Sequence, residues 1–433
     1  MLARLTGKSG GIEDLNIAEY PGPLGIHDPA QITQNIESDL VGKIIAGLTG
    51  GSGEAAAASA RRNPKDIVFT GTPEEVGRYF DEQEWGDGLP IVVPTVERVE
   101  QFLKFTDRAP DEVVAVLQSA NLQATPWIIA VNAVMAGCRP EHMPLIIAAV
   151  EALGDERCSL NNIGTSSGLF PFVLINGPIV DELGINSGAQ LASRPPNPAI
   201  GRAIGLIVRN IAGFRPGSSY MGTFGYPLAV ALAERADDSP WEPFHVGQGY
   251  DRNANTVTVG VTNNWGSSPA PYDRAGQSGA QIALELLARE IAKKTRLFNF
   301  PGRGPHAETV MLTLLLSPPV ARSLAAAGYS KHDVKQHLYE NTRMSLREFD
   351  WISRFTSISG ITARERVDEG VFPREFAGAP GDQVRILSSA DIVHIVVCGD
   401  PHRNRLMVME GGHTQPTTKA IALPRNWERL LKE

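Results

Sequence analysis

The chain is poor in the residues that would commit it early to one chemistry. Among its 433 residues are three cysteines, Cys138, Cys158 and Cys398, too widely spaced for a CxxC redox pair or a zinc knuckle, so reduced thiols are the default. Long apolar runs are missing too. Stretches such as LIIAAVEAL fall well short of the ~20 residues a membrane helix needs, and MLARLTGKSGGIEDLN has no apolar centre of the kind a signal peptide carries. Lysine and arginine are scattered, and a net charge of −8 is modest for this length, which argues against a basic nucleic-acid footprint. The expectation is a cytoplasmic protein with no membrane or nucleic-acid partner.

Apolar material is plentiful. Hydrophobic residues make up 42% of the chain and charged ones 20%, and the length exceeds the roughly 250 to 300 residues that one core serves, so two lobes are expected. Residues 1–66 read as an extended arm: YPGPLGIHDP turns around its prolines, IESDLVGKIIAGLTGG suggests a short amphipathic helix, and an alanine-rich segment follows. Having little core potential of its own, the arm is expected to lie over a second subunit and make a homo-oligomer. Residues 67–270 read as the main α/β lobe, and residues 271–433 as a second α/β lobe.

The body opens at TPEEVGRYFDEQEW, where Thr72 with Glu75 three residues later matches a capping box. GDGLPIVVPT reads as a loop and a short buried strand, and VERVEQFLKFT as a helix. ATPWIIAVNAVMAG and RPEHMPLIIAAVEALG are apolar at helical spacing, with Gly137 ending the first. FPFVLING predicts a strand buried on both faces. NPAIGRAIGLIVRNIAG predicts a helix with Arg202 and Arg209 on one side, while the alternation in TVTVGVTNNW predicts a strand at the lobe's edge. The second lobe reads as the helix SGAQIALELLAREIAKK, the strand ETVMLTLLL, the helices PPVARSLAAAGY and SKHDVKQHLYENTRMSLREF, the latter capped by Ser330, and the strands DIVHIVVCGD and RLMVMEGG. The fold class is α/β, two-lobed, with helices layered on mixed sheets; no internal sequence repeat stands out.

Candidate chemistry concentrates between Trp127 and His245, where glycine, asparagine, serine and arginine interleave with core-grade runs. Cys138 sits between two helices beside Arg139, an environment that lowers a thiol pKa; it is either a nucleophile or a small packed side chain. Glu141 and His142 share its turn. GTSSG has the letters of a G-x-S-x-G elbow around Ser166, but the strand follows it where an elbow needs one before. Ser166 and Ser167 are therefore either an amidase-type nucleophile or loop hydroxyls that cap a helix or hold an anion. In SPWEPFH, Trp241 offers an apolar wall and Glu242 or His245 a proton shuttle. Arg139 and Arg202 would clamp an anion, and the Asn176 and Asn186 loops would supply donors to developing charge. Asp400, His402 and Arg403 follow a buried strand, yet with His394 and His413 they lack tight metal-ligand spacing, so no metal is expected. The turns after Gly137, after Ile175 and before His245 are expected to converge on one cavity.

Ordered blocks carry a resemblance. DGLPIVVPTVERVEQFL, AVNAVMAGCRPEHMPLIIAAVEAL, LINGPIVDELGINSG, NPAIGRAIGLIVRNIAG, SPWEPFH and AAAGYSKHDVKQHLYENTR resemble a bacterial family associated with, or fused to, thioredoxin-like UGSC-family (seleno)proteins, named for a Sec/Cys-Gly-Ser-Cys motif. The resemblance spans about Gly86 to Arg343. That motif is absent from this chain, so the resemblance implies a separate thiol or selenol partner, with this chain as an enzyme beside it or as a non-catalytic scaffold subunit. Reaction and cofactor stay open. The leading expectation is an enzyme acting on a small polar or anionic substrate; an amidase-like hydrolase using Ser166 or Ser167 is the alternative.

Overall fold

In a computed structural model the described residues are 15–22, 27–49, 65–165, 168–217, 219–225, 229–294, 311–356, 362–411 and 415–432. Within the arm, α1 (Pro29–Asn35) and α2 (Val41–Thr49) flank a π-helical turn at Ile36–Leu40, and none of their residues is buried. On α2, Val41, Ile44, Ile45 and Leu48 recur at helical spacing and all are exposed.

The body starts as expected. Thr72 Oγ1 accepts the Glu75 amide and the Glu75 carboxylate accepts the Thr72 amide, closing the capping box of α3 (Pro73–Glu82). Residues 86–95 form no strand, contrary to expectation. The carbonyls of Leu89 and Pro90 are taken by the Arg202 guanidinium, so they are lost to a strand ladder. Then come α4 (Val96–Leu103), a small antiparallel pair β1 (Ala115–Leu117) and β2 (Leu122–Ala124), α5 (Pro126–Met135) and α6 (Met143–Leu153). Between the last two helices Gly137 takes φ +80°, a left-handed conformation that stops a helix cheaply in glycine.

β3 (Phe170–Asn176) is buried along its whole length, as its unbroken apolar run predicted. The short α7 (Ile179–Glu182), α8 (Asn197–Asn210) and β4 (Val230–Ala233) follow, and β4 lies parallel to β3. β5 (Thr256–Thr262) then pairs antiparallel with the other side of β3. It is an interior strand, not an edge, and every residue is buried. Its alternation separates two buried environments: Val257, Val259 and Val261 face the helices, while the Thr258 and Thr262 hydroxyls find Thr418 Oγ1 and the Glu410 carbonyl.

The second half contains α9 (Gly279–Lys294), β6 (Leu312–Leu316), α10 (Pro318–Ala326) and α11 (Lys331–Asn341). The helix predicted to continue to residue 349 is interrupted: β7 (Arg343–Ser345) pairs with β8 (Gln383–Arg385), and α12 (Leu346–Thr356) and α13 (Ala363–Asp368) lie between them. β9 (Val393–Val397) and β10 (Leu406–Glu410) flank β6, parallel and antiparallel respectively. Last, β11 (Thr417–Ala420) returns to pair with β5, and Trp427 of α14 (Trp427–Leu430) packs in the first core. The tail thus crosses the boundary expected near residue 270.

The two sheets stack face to face. Phe172, Leu174 and Leu232 from one meet Leu315, Val396 and Met409 from the other, while α5, α6 and α8 cover the outer face of the first and α9, α10 and α11 that of the second. The result is a four-layer α/β/β/α sandwich. Gly260 makes room on this inner face: a Cβ there would sit 2.5 Å from the ring of Phe172, its partner on β3, and 3.0 Å from the Met311 sulfur beside β6 of the other sheet. Each half also repeats one topology, a central strand, a helical crossover to a parallel neighbour, and an antiparallel strand on the opposite side, giving the orders β5-β3-β4 and β10-β6-β9. No sequence repeat accompanies it.

Candidate functional site

Parallel strands β3 and β4 end together, and so do β6 and β9; the two halves meet where β4 and β9 finish. The Arg235 amide donates to the Val397 carbonyl at 2.8 Å and the Gly399 amide to the Ser187 carbonyl at 2.8 Å. Open α/β sheets bind ligands beyond such carboxyl ends. A cavity of about 310 Å³ lies there, with Asp181, Glu234, Arg235, Asp237, His245 and Arg252 among its walls.

Its deepest fixed charge is Glu234, whose side chain is 0% exposed. Oε2 accepts from Asn176 Nδ2 and from the Phe244 amide, both at 2.6 Å, and Oε1 from the Val397 amide at 3.3 Å. Lys331 Nζ, at the first turn of α11, stands 3.6 Å from Oε1. Every one of these neighbours is a donor, the surrounding that a carboxylate requires. Both halves of the fold are therefore tied to one carboxylate. Sequence reasoning passed over it, although an acid directly after the apolar VALA run of a buried strand was the signal.

His245 is the second polar group buried in the cavity wall. Its ring is fully buried and its Nε2 lies 3.1 Å from the Arg252 carbonyl. A carbonyl can only accept, so Nε2 carries the proton; Nδ1 is buried with no hydrogen-bond partner among the described residues. The Asn176 Oδ1 and Thr256 Oγ1 atoms, on residues paired across β3 and β5, are likewise buried without a partner among the described residues.

Of the residues expected at the site, His245 lines the cavity and Asn176 holds its carboxylate. Glu242 does not belong to it: 63% exposed, it forms an ion pair with Arg252 at 2.6 Å. Trp241 donates from Nε1 to the Tyr329 carbonyl and packs against the second core, joining the halves. Asn186 is used up inside its own loop, donating to the Ala189 and Leu191 carbonyls and accepting the Gly188 amide. Ser166 and Ser167 lie outside the described residues, as does His413.

The turn after Gly137 does not reach the cavity. Arg139 donates to the Leu183 carbonyl behind α7 and pairs with Glu141 at 3.1 Å, and Glu141 borders a separate cleft with Leu430 and Leu431. Arg202 is no anion clamp either; it grips Asp87 with two bonds of 2.8 Å and the Leu89 and Pro90 carbonyls besides. Burial works against the Asp87 carboxylate, but the Arg202 hydrogen bonds and charge outweigh it and hold its pKa below the usual range. Arg209, on the same side of α8, donates to the Glu84 carbonyl. The two arginines do share a face, and they spend it on the 84–90 loop.

Cys138 is corrected as well. Its thiol donates to the Ala199 carbonyl at 3.3 Å, and burial pushes its pKa far up, with the Arg202 charge only partly opposing. Arg139 points away, and α6 begins too late for its N-terminus to help. Cys158 and Cys398 are buried. Among the described residues no three His, Cys, Asp or Glu side chains are grouped to hold a metal ion, and no helix is long and apolar enough to cross a membrane. No family model, curated protein or solved structure matches the chain.

Proposed function

We propose that the chain is an enzyme acting on a small polar or anionic substrate held at the carboxyl ends of β3, β4 and β9, with His245 accepting the proton. The carrying observation is the imidazole itself. It lines the cavity, the Arg252 carbonyl fixes its Nε2–H tautomer, and its buried Nδ1 lone pair has no partner among the described residues. A base oriented by a third group is the arrangement proton-transfer catalysis uses. Glu234 acts through its neighbours as a positioning residue, since it grips the amide of Phe244, next in sequence to His245. Arg235 and Arg252 with Asp181 and Asp237 offer both signs of charge to a polar substrate.

The resemblance adds a separate thiol or selenol partner as the source of any redox chemistry. The exposed apolar side of α2 supports self-association through the arm; sedimentation velocity of Leu48→Glu tests it, and an unchanged assembly would remove it.

The test is turnover on amides, nitriles, thioesters and carboxylates by wild type and His245→Asn, with and without a thioredoxin-like protein. Removing a general base costs about 10² to 10⁴ in rate. Loss on that scale with an unchanged melting curve supports the reading. Full activity in the variant, or no turnover of any class, refutes it.

A further inference from the structure

A second cavity shares no wall residue with the first. It measures about 530 Å³ and is lined by Phe80, Trp85, Val96, Trp127, Ile128 and Val131 among others, from α3, α4 and α5. This volume lies within the range of small-molecule sites. We propose that it binds a neutral, largely apolar molecule carrying one hydrogen-bond donor, of phenol or indole type.

Two independent features point to such a ligand. The first is α5, which apart from Asn132 is apolar on all sides, as befits a helix packed all round. Its Ile128 and Val131 nevertheless remain half-buried, side by side on the cavity wall. An apolar ligand of aromatic shape would complete that packing against Trp85 and Trp127.

The second feature is polar. Asn132 donates from Nδ2 to the Ile128 carbonyl, so its Oδ1 is the atom that accepts from Asn210 Nδ2 at 2.8 Å. The same Asn210 amide group donates to the Trp85 carbonyl at 3.0 Å. With both of its neighbours acceptors, the orientation of the Asn210 amide is fixed, and Oδ1 is left buried with no partner among the described residues. Buried acceptors are rarely left so, because the lost hydration is uncompensated. A ligand O–H or N–H would satisfy it. Of the two cations on this wall, Arg215 already stands 3.7 Å from Glu84 and the Lys65 ammonium lies 4.8 Å over the Trp127 ring, while Asp66 and Glu97 add negative charge; a neutral donor is favoured over an anion.

Calorimetric titration of the full chain with 2-naphthol and with 2-methoxynaphthalene, the same ring system without a donor, tests this. Naphthol should bind about tenfold tighter, the equivalent of one hydrogen bond. Asn210→Ala should erase that preference, and Val131→Phe, which fills the cavity, should weaken both compounds at least tenfold. Val93→Phe, on another part of the wall, gives a second filling variant should the first fail to fold. Equal affinity for the two compounds, binding indifferent to both filling variants, or no heat at millimolar concentration would overturn the proposal.

Discussion

Replacing Glu234 by glutamine changes one oxygen to an NH₂ group and little in size, so its cost reads directly on how the two halves are joined. Glutamine can place its oxygen where Oε2 was, keeping the 2.6 Å bonds from Asn176 and Phe244. Its NH₂ then faces the Val397 amide, which donated to Oε1, and the Lys331 ammonium at 3.6 Å. A buried amide left without an acceptor costs about 1 to 3 kcal/mol. Lys331 is 20% exposed and can turn to water, which limits its share to about 1 kcal/mol or less. The sum is a loss of roughly 1 to 4 kcal/mol; the flipped amide would sacrifice the two shorter bonds and cost more. Urea unfolding followed by tryptophan fluorescence, compared between Glu234→Gln, Lys331→Met and the double variant, measures it. Lys331→Met alone should cost much less, and the two substitutions should be non-additive. A Glu234→Gln variant within about 0.5 kcal/mol of wild type, the scale of an ordinary surface substitution, would refute the idea that one carboxylate ties the halves together.

Other outcomes follow from the same geometry. Arg202→Lys keeps the charge but loses the fork that grips Asp87, Leu89 and Pro90; a loss of about 2 to 3 kcal/mol is expected, with faster amide exchange across residues 86–95, and an unchanged exchange pattern would contradict it. Burial, aided by the Arg139 charge, pulls the His142 pKa down to about 4, and burial with Lys335 pulls His394 down to about 3. Both sit below the ordinary value of ~6.5, so between those limits the unfolded chain binds more protons and stability falls as pH falls. His142 alone should remove about 2 kcal/mol by pH 5. Unfolding midpoints at pH 7.5, 6 and 5 should drop accordingly, less steeply in His394→Leu, and a flat profile would exclude the buried neutral rings. In native protein Cys138 should react slowly with iodoacetamide at pH 8, because burial raises its thiol; alkylation at the rate of a free thiol would restore it as a nucleophile. Gly201→Ala would set a Cβ 2.4 Å from the Ala229 carbonyl, forcing α8 off β4 at a cost of about 1 to 3 kcal/mol, detectable as a lowered melting temperature.

Much of the fold could be read locally. The capping boxes at Thr72 and Ser330 formed as their spacing predicted, and the apolar run of β3 is buried throughout. Errors arose where a local pattern had two physical meanings. Alternating threonine and valine in β5 signals an edge when one face meets water, and the same letters serve between two sheets when threonine hydroxyls find partners there. Arg202 was read by residue type as an anion clamp, and Cys138 as either a nucleophile or a small packed side chain; their neighbours, Asp87 and the Ala199 carbonyl, make the first a loop staple and favour the packed alternative for the second.

The sequence by itself determined the α/β class and most helix starts and stops. These depend on residues a few positions apart, whose spacing fixes caps, faces and turns. Only the tertiary structure decided the four-layer stacking, the repeated topology and the place of Glu234. The partners of that carboxylate stand 10, 58 and 163 positions away. Contacts across such separations arise when two sheets bury their inner faces against each other, and no local periodicity encodes which strand ends will then meet.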